Sequence, residues 1–161
     1  MSKTLAVAKY LNELNVERHG CEMDEMKMHK MMYFSQRESL MNTNNPLFGD
    51  SFEAWKFGPV LRSVRNEYKR NHMFESVNET LTEEEKRLVE YVFERYDSFD
   101  AWDLSSLSHE EFSWKQAREE FLLTNTIKKT LAILFYGKLT LKKTAMFIGI
   151  LRLEKEDLVG I

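Results

Sequence analysis

With a single cysteine, Cys21, the 161-residue chain has no partner for an internal disulfide. Its fold must rest on burial of apolar surface, and a reducing, cytoplasmic location is the expectation. Proline occurs only twice and glycine six times. A β-sandwich needs turn signals every few residues, so this scarcity argues against that class and for helices with compact connections. Long apolar runs are also missing: the longest nearly uncharged one, around Leu131 to Phe135, falls far short of the ~20 residues that span a bilayer. No charged-then-apolar leader with a small-residue cleavage site opens the sequence, so a chain that makes no use of a membrane is expected. A basic excess is lacking as well, with 26 Asp and Glu against 23 Lys and Arg and a net charge of −3. Phosphate neutralisation supplies most non-specific nucleic-acid affinity, so this balance disfavours a DNA-binding role.

Apolar residues make up 43% of the chain and charged residues 30%, a balance that supports a folded globule of one-domain size. Val7, Tyr10, Leu11 and Leu14 share one helical face, which predicts a first helix from about Lys3 to Arg18, ended by Gly20. A second helix is predicted from Asp24, with Met28, Met31 and Met32 on one face, broken by Asn42 to Pro46. Between Leu47 and Phe57 the aromatic steps Phe48, Phe52, Trp55 and Phe57 around the turn pair Gly49-Asp50 predict a small β-hairpin or extended segment. Gly58-Pro59 then reads as a helix start with proline at its first position, leading through Val64 and Tyr68 to about Asn71.

Thr82 followed by Glu85 forms a capping box ahead of the stripe Leu88, Val89, Val92, Phe93 and Tyr96. Asp100 with Asp103 can open a shorter helix through Leu104 and Leu107, and Ser113 with Gln116 another, with residues 107–112 as the joint. The last forty residues read as helix to about Tyr136, a turn at Gly137, helix from Thr140 to Ile148 and an acidic final helix around Glu154 to Leu158. The expected fold is therefore mainly α, about six to eight helices with one small extended segment near residues 47–57.

Few side-chain clusters carry chemistry. Trp55, Lys56, Phe57, Gly58 and Pro59 concentrate two aromatics, a cation and a rigid turn, the ingredients of a partner-binding anchor, although alternate aromatics on a strand also serve as core. His109 stands beside Ser108, Glu110 and Glu111, but sequence neighbours point apart and do not make a triad, so a capping role competes with any catalytic one. A hydrolase-like enzyme using His109, Lys56 and a carboxylate such as Asp103 or Glu53 is the alternative, without a phosphate-binding glycine loop to support it. His19, Cys21 and His29 lack the spacing of metal ligands, so no metal and no cofactor is expected. Lys128, Lys129, Lys138, Lys142 and Lys143 evoke a helix-turn-helix, but Glu154, Glu156 and Asp157 on the last helix would repel phosphates.

Three segments taken in order resemble the Panacea domain of SocA-like antitoxins. Residues 27–36, Lys-Met-His-Lys-Met-Met-Tyr-Phe-Ser-Gln, are similar to that family's Lys-Leu-Gln-Lys-Leu-Leu-Tyr-Tyr-Ala-Gln helix. Phe52 to Val60 resembles its Glu-Ala-Trp-Lys-Tyr-Gly-Pro-Val signature, and Leu104 to His109 with Trp114-Lys115 its Leu-Ser-x-Leu-Thr-His followed by Pro-Trp. Ser108 stands where threonine is usual, Ser113 where proline is usual, and Arg62 where a second proline often follows. The resemblance implies a domain over residues 1–124 with residues 125–161 as a helical extension. It implies an antitoxin-type module without catalysis that neutralises a protein partner, a toxin encoded nearby, by direct contact; a phage or mobile-element inhibitor of a host protein is the alternative. The positions it singles out for partner binding are Glu53, Trp55, Lys56, Phe57, Gly58, Pro59, His109 and Trp114.

Overall fold

An α-helix that is buried on every face lies at the centre of a domain, with neighbours on every side. The second helix, α2 (Glu25–Thr43), is of this kind: every residue from Met28 to Gln36 is buried. The computed structural model describes residues 3–70, 73–117 and 130–131. Around α2 pack α1 (Lys3–His19), α4 (Glu83–Tyr96), α5 (Ala101–Glu110) and the hairpin of β1 (Phe52–Trp55) and β2 (Gly58–Val60), with the short α3 (Arg62–Glu67) following the hairpin. Residues 112–117 are again helical.

Local chemistry sets the ends of these elements. Gly20, at φ 71°, closes α1 with its N–H on the Val16 carbonyl, the left-handed stop that glycine adopts without strain. The Asp24 carboxylate accepts from Lys27 N–H at the start of α2, and left-handed Asn44 ends it. The Thr82/Glu85 capping box is present in both directions, and Asp100 accepts from the N–H groups of Trp102 and Asp103 to start α5. The core joins Val7, Ala8 and Leu11 of α1, Met28, Met31, Met32, Tyr33 and Phe34 of α2, Val89, Val92 and Phe93 of α4 and Leu104 of α5, with Phe52 from the hairpin. Phe34 stacks on Tyr96 at 4.5 Å, and Tyr33 meets Phe52 edge-on at 5.5 Å.

The chain is thus mainly helical with a small antiparallel sheet, as the sequence predicts, but five local readings are corrected. The hairpin turns at Lys56-Phe57, not at Gly49-Asp50, and pairs Glu53 with Val60, Ala54 with Pro59 and Trp55 with Gly58. Gly58-Pro59 therefore belongs to a strand, and the helix begins only at Arg62. Gly58 has φ 108°, which no helix start requires, and the extended backbone fixed there carries proline without cost in a three-residue strand. The joint after α5 is the single extended residue Glu111, so His109 lies in the last helical turn. Helix resumes at residue 112, and Ser113 does not cap it: its hydroxyl is buried against the Tyr33 hydroxyl at 2.8 Å. Finally, Thr130–Leu131, read as helix, forms a third strand, β3, antiparallel to β1 in the order β2-β1-β3. The other elements expected after residue 124 lie outside the described residues.

Candidate partner-binding site

The three motif segments, far apart in sequence, meet at one point. Gly58 of β2 lies directly on Lys30 of α2 and Ser108 of α5: a Cβ added to it would sit 2.7 Å from Lys30 Cε and 3.0 Å from both Lys30 Nζ and Ser108 Oγ. Both the positive φ and this close approach require glycine. One residue earlier, the Phe57 carbonyl accepts from Ser105 Oγ at 2.9 Å, so α5 grips the hairpin turn from below. The Leu61 N–H, just past β2, donates to His29 Nδ1 at 3.3 Å. His29 is therefore neutral with its proton on Nε2, and burial, with the charges of Lys30 and Arg65, pushes its pKa down to about 3. Further along α2, Gln36 accepts from the N–H groups of Leu47 and Phe48 and donates to the Phe48 carbonyl, fixing the segment that enters β1.

Above this buried anchorage the hairpin presents aromatic rings to solvent. Trp55 is 36% exposed, Phe57 48% and Trp102, on the first turn of α5, 61%. Phe57 and Trp102 meet edge-on at 5.5 Å, and Lys56 Nζ rests 5.1 Å from the Phe57 ring centre. Trp55 is held on both sides. Its indole N–H donates to Glu53 at 2.7 Å, and the Arg65 guanidinium lies 4.9 Å over its ring. Arg62 grips the same Glu53 carboxylate through two hydrogen bonds of 2.9 and 2.8 Å, while Arg65 pairs with Glu25 at 2.9 Å. Such bidentate geometry fixes side chains that would otherwise sample many rotamers.

The structure divides the residues singled out from the sequence. Glu53, Trp55, Lys56 and Phe57 form the outer surface, whereas Gly58 and Pro59 are buried beneath it. His109 and Trp114 are half-buried and stack on each other at 3.9 Å, with an interplanar angle of 20°. Ser108 is fully buried and turns back to the Ser105 carbonyl at 2.8 Å, so Ser108 and His109 are directed to different partners. Glu53 is occupied by Arg62 and Trp55, and His19 by Asp97, while His29 lies in the interior and Cys21 is exposed. Sequence reasoning missed Trp102, Arg65, Ser105 and Lys30. Trp102 carried a usable signal, since it falls off the Leu104 and Leu107 stripe of its own helix.

A family model described as antitoxin SocA-like, Panacea domain, matches residues 28–115. That span holds the three motif segments apart from Lys27, together with the exposed cluster of Trp55, Lys56, Phe57 and Trp102, while α1 precedes it. No curated protein and no solved structure matches the chain significantly. Among the described residues no helix is long and apolar enough to cross a membrane.

Proposed function

The chain belongs to the family of SocA-like antitoxins that carry the Panacea domain, and from that membership we propose that it acts without catalysis, by binding a protein partner, a toxin encoded nearby, and neutralising it by direct contact. The observation that carries this reading is the exposed cluster of Trp55, Phe57 and Trp102 with Lys56, mounted on a buried anchorage that all three motif segments build. Tryptophan and arginine dominate the energetics of protein interfaces because they offer large contact area with polar handles. The Trp55 ring, held by Glu53 and Arg65, and the Phe57 ring, set against Trp102 on a backbone tied down by Ser105, lose little freedom on association, so more of the contact energy is left for affinity. Lys56, whose ammonium rests on an aromatic ring, supplies a charge at the rim where it steers approach.

The test is growth rescue. The product of the adjacent reading frame is expressed with this chain, and wild type is expected to restore growth. Trp102→Ala and Lys56→Glu change exposed side chains, so both proteins are expected to keep the wild-type circular dichroism and melting profile yet fail to rescue. Full rescue by both folded variants would refute the proposed surface.

A further inference from the structure

The buried polar side chains of α2 are hydrogen-bonded except at two nitrogens, His29 Nε2, which lies 3.5 Å from Glu25 Oε1, and Lys30 Nζ. Ser35 donates to the Met31 carbonyl, Gln36 satisfies the 47–48 backbone, Tyr33 meets Ser113, and His29 accepts from Leu61. Lys30 is 1% exposed, and among the described residues no hydrogen bond or ion pair reaches its Nζ. A buried, unpaired ammonium works against folding, and methionine would fill nearly the same space. Buried polar groups left without partners mark places where something other than stability has set the residue.

Position indicates what that is. The amine lies beneath Gly58, close to the Ser108 hydroxyl and one residue from Phe57, the ring of the exposed cluster. Ties from the hairpin turn to α5 include the hydrogen bond from Ser105 to the Phe57 carbonyl and the edge-on ring contact between Phe57 and Trp102. A segment that engages these rings and lifts the turn meets an ammonium and a hydroxyl side by side. The one proton of Ser108 is already given to the Ser105 carbonyl, so the donor on offer is the ammonium, and the group that pairs with it is a carboxylate. We propose that Lys30 is the receptor for one Asp or Glu side chain of the protein partner, inserted under the hairpin turn beside the Phe57–Trp102 cluster. This rests on the binding reading above and adds the chemistry of the partner's anchor. Burial pushes the Lys30 amine down to about 8, against the field of Asp24, which still leaves it mostly protonated at neutral pH.

Calorimetric titration of the purified adjacent-frame product into wild type and Lys30→Met tests this. Lys30→Met is expected to melt no lower than wild type and to bind at least about thirtyfold more weakly, as when one partner of a buried charge pair is removed. Alanine scanning of the product's Asp and Glu residues is expected to find one whose loss has no further effect on the Lys30→Met variant. Binding of Lys30→Met within twofold of wild type, with both proteins folded, would overturn the proposal. Titration with sodium acetate against sodium chloride at constant ionic strength separates it from the binding reading. If the adjacent product does not bind wild type, the antitoxin reading fails. A saturable acetate-induced rise in melting temperature that Lys30→Met lacks would then keep the carboxylate site but assign it to a free acid and overturn the partner assignment, and a flat response would overturn both.

Discussion

His29 and Lys30 are adjacent, both buried, and both lowered in pKa by burial, so each makes stability rise with pH, His29 below neutrality and Lys30 above it. His29 has its pKa lowered from 6.5 to about 3. Between those values the unfolded chain binds a proton that the folded chain refuses, so stability present above pH 6.5 is lost as pH falls toward 3. His29→Gln keeps an acceptor for the Leu61 N–H, and its unfolding free energy, from urea titrations between pH 6 and 4, is expected to fall less steeply than wild type by up to about 1.4 kcal/mol per pH unit. Equal slopes would place that proton elsewhere. Lys30 has its pKa lowered from 10.5 to about 8, so from pH 8 upward the folded chain releases a proton that the unfolded chain keeps, and stability rises with pH. The rise is to be read up to about pH 9.5, below the ordinary range of tyrosine; Tyr33, which burial holds above its usual value, acts in the opposite sense beyond it. Lys30→Met is expected to abolish this rise and to be more stable than wild type at pH 7, by about 1–4 kcal/mol. A destabilised variant would show that the amine has a partner in the folded chain.

Among the elements, the hairpin decides where the aromatic rings stand. Gly58→Ala places a Cβ 2.7 Å from Lys30 Cε at φ 108°, and about 1–3 kcal/mol of backbone strain is expected in addition to the clash. Part of that cost comes from the end of a flexible side chain. In a double-mutant cycle with Lys30→Ala the two changes are therefore expected to couple, the second relieving the clash while the strain persists. Additive unfolding energies would show that Gly58 and Lys30 do not touch. The same hairpin shows how legible the fold was in the sequence. Helices announced themselves through local signals, such as Asp24, the Thr82/Glu85 box and Asp100, because caps and stripes are properties of consecutive residues. Gly58-Pro59 carried an ambiguous local signal, since proline suits both a helix start and a short strand; the choice was made by the packing of Gly58 on Lys30 and Ser108, residues 28 and 50 positions away. Ser113 was misread as a cap for the same reason, its hydroxyl being taken by Tyr33, 80 residues distant.

At the scale of the whole molecule, the helices around α2 serve as a rigid mount for one small surface. α1 lies outside the span matched by the family model, yet it supplies Val7, Ala8 and Leu11 to the core and ties to α4 through Lys3–Glu85, Tyr10–Glu90 and Arg18–Glu94. The candidate site was half legible: Trp55 to Pro59 drew notice through their density of anchor-type side chains. Trp102 and Arg65 did not, because what joins them to that segment is tertiary contact. The most direct measurement of the central claim is the affinity of the purified adjacent-frame product for three proteins at one salt concentration: wild type, Trp102→Ala, and Tyr91→Ala, which changes another exposed aromatic, on α4. Trp102→Ala is expected to weaken binding about thirtyfold or more, the loss typical of a central aromatic anchor, while Tyr91→Ala binds as wild type. Unchanged affinity for a folded Trp102→Ala, or a greater loss with Tyr91→Ala, would contradict the account.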